Sequence, residues 1–435
     1  MSLLIFTASS VPPWWSVERV QLAASISCGL IITGLFTVPF FRALSSIGLA
    51  ALALTGIGYA VVYRQIGQQQ KWPVYAALAL VFALHLLTGL NTEAAHAKLF
   101  WTDVVLQLPF LLLPLAFWLL PPLPTAHLRR LYGLLLALTV CSALGSTGYY
   151  LLHAREINEL YTHSQVMPTV PDHIRFSLLV ALSIVVGAVL LEQGCLAGRA
   201  RQLVLVATAF LVGYLHLLAV RSGLMAFYAL ASVGLLVVLR RRDWPRVLRL
   251  GLLLIMLPVL SYWLLPTFYN KYHNTREDAG KVEHTRSANN YSLVGRVYSY
   301  QAALHIVRDH PLIGVGKADM EAEMAARYRR YFPQIGAESY IKPHNQFLYY
   351  LAAFGGVGLL AWLLCFYFPL WWVRCQPAPL LRAQYLIVTL SFLVEPTLET
   401  QTGITFGLFF LLLPLSSLPP QTAATNGPGG AWRPV

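Results

Sequence analysis

The amino-acid sequence predicts an all-α integral membrane protein with about twelve transmembrane helices and one large polar loop of short helices. Hydrophobic residues make up 57% of the 435 residues and charged residues only 11%, whereas a soluble domain carries roughly 25% charged residues. The apolar residues fall into runs of roughly 20, the length that an α-helix needs to cross a bilayer. One polar stretch, residues 266–345, interrupts this pattern and is too long to be a turn.

Apolar windows divide the chain into four parts. Residues 1–265 hold nine predicted transmembrane helices, residues 266–345 form the polar loop, and residues 346–418 hold three more helices. Residues 419–435 are a Pro/Gly/Ala-rich tail without a core-forming pattern. The predicted helices lie near residues 19–41, 43–63, 73–90, 101–120, 130–153, 174–192, 202–220, 223–239, 247–265, 346–368, 381–397 and 402–418.

The distribution of Lys and Arg predicts the orientation of these helices. One set of alternate connections carries roughly three times as many basic residues as the short connections of the other set, and basic residues are retained on the cytoplasmic side. Both termini are therefore predicted to be cytoplasmic and the polar loop to lie outside. This topology also accounts for most of the net charge of +13, so we expect no nucleic-acid partner. No cysteine lies in the polar loop, and we expect no disulfide there.

The polar loop is predicted to contain two short helices, over residues 294–309 and 318–332, because apolar residues recur there at helical spacing. The turn between them contains His310-Pro311 and two glycines. The second helix begins with acidic residues and ends with arginines, which suits the helix dipole at both ends. Its arginines are interpreted either as solvated partners of that dipole or as contacts for anionic lipid or sugar phosphate.

A sequence motif marks the point where the polar loop ends. His344-Asn345 precedes the tenth predicted transmembrane helix, and Gly355-Gly356-Val357-Gly358 follows after nine residues. A histidine followed by Asn, Ser or Gln, nine residues and Gly-x-x-Gly is the signature of the O-antigen ligase and polymerase superfamily, and this sequence resembles it at every position. The polar loop is similar to that of the same superfamily, with Arg296 before a helix and then His310-Pro311-Leu312-Ile313-Gly314-Val315-Gly316. Arg221, in Val220-Arg221-Ser222-Gly223, also fits.

This resemblance implies a GT-C-type glycosyltransferase of the bacterial inner membrane whose active site faces the periplasm. A ligase of the superfamily transfers O-antigen glycan from undecaprenyl pyrophosphate to a sugar hydroxyl of lipid A–core, in lipopolysaccharide biosynthesis. The resemblance also implies inversion at the anomeric carbon. Gly355 and Gly358 are expected to allow close helix–helix approach below the site.

Cleavage of a glycosyl–pyrophosphate bond develops negative charge on the leaving group, which a metal ion or fixed cations must stabilise. The acidic residues on the predicted outer side are scattered, so we expect no metal ion and no cofactor. The closest pair, Glu321 and Glu323, is explained by the helix dipole. Arginine matches phosphate oxygens bidentately and keeps its charge. We therefore predict that Arg221 and Arg296 contact the pyrophosphate, with Arg175 as a further substrate-binding residue.

His344 is the predicted catalytic group that faces the acceptor hydroxyl, because histidine side chains titrate near neutral pH. Its neighbours Asn345 and Lys342 are predicted to belong to the substrate-binding surface, and Asn345 is also expected to hold the mouth of the helix.

Two other functions remain open at the level of the sequence. A polymerase of the same superfamily would join lipid-linked repeat units and would need the same donor chemistry. A lipid or sugar transporter, from a different class, would use the same transmembrane helices without forming a covalent bond. Ion-coupled transport normally places acidic or basic residues in mid-span, and the clearest ionisable residues there are only His85 and His216, which favours an enzyme.

Overall fold

A computed structural model describes residues 15–36, 43–163, 165–194 and 196–419. These residues form helices and no strand. The predicted tail, apart from Pro419, lies outside the described residues. The α-helices are α1 (Val17–Leu35), α2 (Ala43–Tyr63), α3 (Trp72–Leu87), α4 (Ala97–Gln107), α5 (Pro109–Leu119), α6 (Thr125–Leu152), α7 (Ala154–Thr162), α8 (His173–Glu192), α9 (Gly198–Leu218), α10 (Arg221–Arg240), α11 (Trp244–Leu264), α12 (Pro266–Gly280), α13 (Ser292–Asp309), α14 (Met320–Tyr331), α15 (Gln346–Trp372), α16 (Pro379–Val394), α17 (Gln401–Ile404) and α18 (Phe410–Ser417).

The prediction of a helical membrane protein is confirmed. Nine helical stretches within the described residues are long and apolar enough to cross a membrane, and each overlaps a predicted span. The three remaining predicted spans overlap α1 and two shorter apolar stretches. Residues 37–41 of the predicted span 19–41 lie outside the described residues. The nine stretches are Ala43–Tyr63, Gln69–Leu90, Ala94–Leu119, Thr125–Leu152, His173–Glu192, Gly198–Leu218, Arg221–Arg240, Trp244–Leu264 and Gln346–Trp372.

The helices differ widely in how much of their apolar surface the protein itself covers. In α8, 67% of the most apolar window is buried, and this helix packs against α6, α9, α10 and α16. In α11 only 6% of the window is buried, and Leu248, Ile255 and Trp263 are more than half exposed. So large an apolar surface cannot face water. It is the expected surface of a helix that faces lipid tails.

The polar segment, residues 266–345, is ordered by three helices. The two helices predicted from the sequence correspond to α13 and α14. As predicted, α14 has acidic residues in its first turn and arginines in its last. Arg327 of α14 pairs with Asp309 at 2.8 Å and with Glu323 at 3.2 Å. The charge of this arginine is therefore neutralised within the segment and is not directed at a ligand.

The turn after α13 packs into a break in α15. Gly355 has φ 68° and ψ −175° and interrupts the helix. Around the break, the amides of Val315 and Gly316 donate to carbonyls of α15 at 3.1 and 2.9 Å, and the amide of Gly356 donates to Pro311 at 2.8 Å. These bonds replace the helical ones that the break removes. The expected close approach at Gly355 is therefore made to the turn and not to another helix, while a Cβ at Gly358 would meet Phe354 of its own helix.

We expect Gly355→Ala to destabilise the protein. A Cβ at this position would lie 2.2 Å from the carbonyl carbon and oxygen of Leu312, and a backbone with these angles is essentially restricted to glycine, at a cost of about 1–3 kcal/mol for another residue. The midpoint of thermal unfolding in detergent should fall. Gly213→Ala is the matched control, because nothing lies within 4 Å of its Cβ position; equal midpoints for the two variants would contradict this account.

Candidate functional site

The start of α15 holds His344 in a fixed position. The side chain of Asn345 accepts a hydrogen bond from the amide of Leu348 at 3.0 Å, which caps the helix. Its amide nitrogen donates to the carbonyl of Leu393 at 3.3 Å, and the hydroxyl of Tyr300 on α13 donates to the carbonyl of His344 at 2.8 Å. Asn345 thus has the helix-mouth role that the sequence predicts, and three elements meet at the histidine.

A single carboxylate joins His344 to Arg296. Glu395 directly follows α16, and only 6% of its side chain is exposed. Its Oε1 atom lies 3.0 Å from Nδ1 of His344 and 3.3 Å from Nη2 of Arg296. Because Nδ1 of the imidazole is turned towards Glu395, Nε2 is the nitrogen that can meet a substrate. Two of the predicted site residues are therefore brought together by a third that the sequence did not single out.

The charges around Glu395 keep it ionised. Burial alone would raise the pKa of this carboxyl, but the hydrogen bond and charge of His344 and the charges of Arg296 and Arg175 together hold the pKa below its ordinary value. These charges come from α13, from α8 and from the start of α15. Glu395 is thus an anion shared by three elements.

Arg175 and Arg221 begin neighbouring helices. Gly223 packs so closely on α8 that a Cβ there would lie 2.5 Å from Cβ of Ser177, and this contact sets the ends of α8 and α10 side by side. Arg221 lies within electrostatic range of Arg296, and Arg175 within range of Glu395. Arg175 also pairs with Asp172 at 3.3 Å.

Lys271 on α12 is a further cation of this site. Burial, followed by the charges of Arg221 and Arg296, lowers the pKa of its ammonium group to about 8, and Asp278 opposes the shift. Asp278 also accepts from the amides of Leu293 and Val294 at 2.9 and 3.3 Å. It thereby anchors the start of α13, which carries Arg296.

The structure brings four of the predicted site residues near one another. Arg296 and His344 meet on Glu395. Arg175 lies within electrostatic range of Glu395, and Arg221 within range of Arg296. Lys342 differs: its ammonium nitrogen lies 3.9 Å from Glu321, and both side chains are largely exposed. We name Arg175, Arg221, Lys271, Arg296, His344 and Glu395 the cation–carboxylate cluster.

The sequence reasoning missed Glu395, Lys271 and Tyr300. Glu395 was visible only as one of several scattered acids, and its position near the end of the predicted span 381–397 was the one signal that could have raised it. Lys271 and Tyr300 stand in a polar stretch with no pattern to distinguish them from solvated residues.

A separate group of side chains could hold a metal ion. Ligand atoms of Glu93, His96 and Asp319 lie within 4.8 Å of one another. His96 forms an ion pair with Asp319, whose second oxygen accepts from the amide of Glu93 at 3.1 Å. The group already ties the start of α14 to the connection before α4 through these bonds, and none of its members belongs to the cation–carboxylate cluster.

Comparison with known proteins gives a family match over part of the chain. Residues 206–363 match a family model described as O-antigen ligase. The matched range includes Arg221, Lys271, Arg296 and His344, and ends before Glu395. No curated protein matched the chain.

We expect Glu395→Gln to lower the free energy of unfolding at pH 7 by about 1–3 kcal/mol, because hydrogen bonds to a charged group contribute about that much. Folding lowers the pKa of Glu395, so its contribution is present above the ordinary carboxyl range and is lost as the pH falls. The difference in unfolding midpoint between wild type and variant should therefore shrink on acidification. A difference that stays constant from pH 7 to pH 4 would contradict this assignment.

Proposed function

Because residues 206–363 match a family model described as O-antigen ligase, we propose that the protein is a ligase that transfers O-antigen glycan from undecaprenyl pyrophosphate to a sugar hydroxyl of lipid A–core. The observation that carries the proposal is the meeting of His344 and Arg296 on Glu395 beside the other cations of the cluster. A base for a hydroxyl and a binding surface for a pyrophosphate are the two parts that this reaction needs.

In the proposed reaction, His344 acts on the acceptor. Nε2 takes the proton of the acceptor hydroxyl as its oxygen bonds to the anomeric carbon of the donor. Glu395, on Nδ1, holds the imidazole in orientation and stabilises the imidazolium that forms, as the carboxylate of a Ser-His-Asp triad does. Attack from the face opposite the leaving group inverts the anomeric carbon.

The cations act on the leaving group. As the bond between the anomeric carbon and the phosphate oxygen breaks, its electron pair stays on undecaprenyl pyrophosphate. Arg221 and Arg296 bind the phosphate oxygens through their planar guanidinium groups, and Lys271 adds a third charge. These fixed charges support a reaction without a metal ion or cofactor, since the charge that develops already has partners.

We further propose twelve spans of the GT-C type in the inner membrane, with α1, α16 and the stretch from α17 to α18 completing the nine candidate spans. The polar segment then lies in the periplasm and both termini in the cytoplasm, as the distribution of basic residues favours. This orientation puts the cation–carboxylate cluster on the side where undecaprenyl-linked glycan and lipid A–core are both displayed.

A polymerase is the second candidate, because the family match does not distinguish the acceptor. Purified protein in liposomes, supplied with undecaprenyl-pyrophosphate-linked glycan, should be offered either lipid A–core or a second lipid-linked repeat. A product on lipid A–core supports the ligase; a longer lipid-linked chain would establish the polymerase instead. Translocation without any covalent product would overturn both.

In this assay we expect His344→Ala to lower kcat by about 100-fold to 10,000-fold, the usual contribution of a positioned base. Arg221→Gln should mainly raise KM for the donor, since it removes a phosphate contact. Activity should persist in EDTA. Arg286→Gln is the control, since Arg286 is an exposed arginine of the same segment. Full activity of His344→Ala, or strict dependence of the reaction on a divalent ion, would contradict this mechanism.

Donor binding should weaken at alkaline pH. Lys271 is charged below its pKa of about 8 and neutral above it, so KM for the donor is expected to rise as the pH passes through that value. The charged groups that face it are Arg221, Arg296 and Asp278, with His173 nearby. Arginine keeps its charge at these pH values, so Lys271→Arg should move the rise to higher pH. An unchanged profile in that variant would rule out Lys271 as its source.

A further inference from the structure

Lys317 is a buried cation just beyond the turn that packs into α15. Only 3% of its side chain is exposed, and its ammonium nitrogen lies 2.9 Å from Oε2 of Glu399 and 3.7 Å from Oδ1 of Asp103. A charge so far removed from water is retained only with a partner of opposite sign. Neither the proposed base nor the proposed phosphate contacts use it.

The partner of Lys317 is joined to the segment that carries Glu395. Oε1 of Glu399 accepts a hydrogen bond from the side chain of Gln346 at 3.3 Å, and Oε1 of Gln346 accepts from the amide of Leu398 at 2.8 Å. Gln346 is buried and lies two residues after His344. The short connection from α16 to α17, which begins at Glu395, is thus fixed to the first turn of α15.

Lys317 itself is held from the other side. The residues before it form the turn whose amides bond to α15 across the break at Gly355. Two residues after it, Asp319 pairs with His96. The backbone of Lys317 is therefore held in place independently of Glu399. The ion pair between Lys317 and Glu399 links the connection that carries Glu395 to this fixed backbone.

We propose that Lys317 is a positioning residue for the reaction: through Glu399 and Gln346 it fixes Glu395 against His344. This inference rests on the proposed function, in which Glu395 orients the imidazole. A displacement of about 1 Å in such a group can lower a rate by about 100-fold. The amide of Glu395 donates to the carbonyl of Ser391 at 2.9 Å at the end of α16, and the bonds described above hold the connection that follows it.

The test measures kcat, KM and thermal unfolding for Lys317→Met, Glu399→Gln and the double variant. Lys317→Met leaves the buried carboxylate of Glu399 without this cation, and Glu399→Gln leaves Lys317 with Asp103 alone at 3.7 Å. Each single change should therefore lower the unfolding midpoint. In the double variant both charges are gone, so the midpoint should recover while kcat stays lowered by about 10-fold to 100-fold. KM for the donor should stay near the wild-type value, because Arg221, Lys271 and Arg296 are unaltered.

The dependence of kcat on pH gives a readout that stability alone would not move. If the contact with His344 loosens, the pKa of Glu395 returns towards its ordinary value, so the acidic loss of kcat should appear at higher pH in the double variant. The charged or titratable groups that face Glu395 are His344, Arg296, Arg175, His173 and Tyr300, and none is changed.

Arg327→Met is the matched control, since it breaks another ion pair of the polar segment and should keep the wild-type kcat. A double variant with wild-type kcat and pH dependence would show that the Lys317–Glu399 pair serves folding only, and would overturn the inference. The proposed function fails separately, if the wild-type protein itself forms no transfer product or if His344→Ala is fully active.

Discussion

The buried carboxylate of Glu395 is the contact on which the arrangement of the site depends. A carboxylate with so little exposure requires partners, and these come from the polar segment and from the start of α15. The helices around α8 and the polar segment are thereby joined at one oxygen atom. Removing this anion would leave Arg296 and His344 without the group that brings them together.

The cation–carboxylate cluster carries more positive than negative charge. Arg221, Lys271 and Arg296 lie close enough to repel one another, and this repulsion adds to burial in lowering the pKa of Lys271. Asp278 and Glu395 compensate only part of this charge. An arrangement of like charges is costly in the absence of a ligand and becomes favourable when an anion such as a pyrophosphate binds. In the proposed reaction, these charges would be in place before the donor binds.

What the sequence could predict is what local patterns control. Helix periodicity and end charges gave α13 and α14, and Asn345 at the start of α15 could be recognised as a cap because capping depends on residues within one turn. Glu395 could not be found in this way, since it lies 99 residues from Arg296 and 51 from His344. Gly355 stood in a recognisable motif, yet its role depends on the turn it meets, which the motif does not describe.

The shared oxygen also couples the two halves of the proposed reaction. Oε1 of Glu395 accepts hydrogen bonds from both His344 and Arg296, so the two side chains compete for the same carboxylate charge. When a pyrophosphate draws the guanidinium of Arg296, more of the carboxylate charge is available to the imidazole. Donor binding would therefore leave Glu395 free to orient His344. In the empty site the same carboxylate is divided between the guanidinium and the imidazole, so Glu395 is shared until the donor is in place.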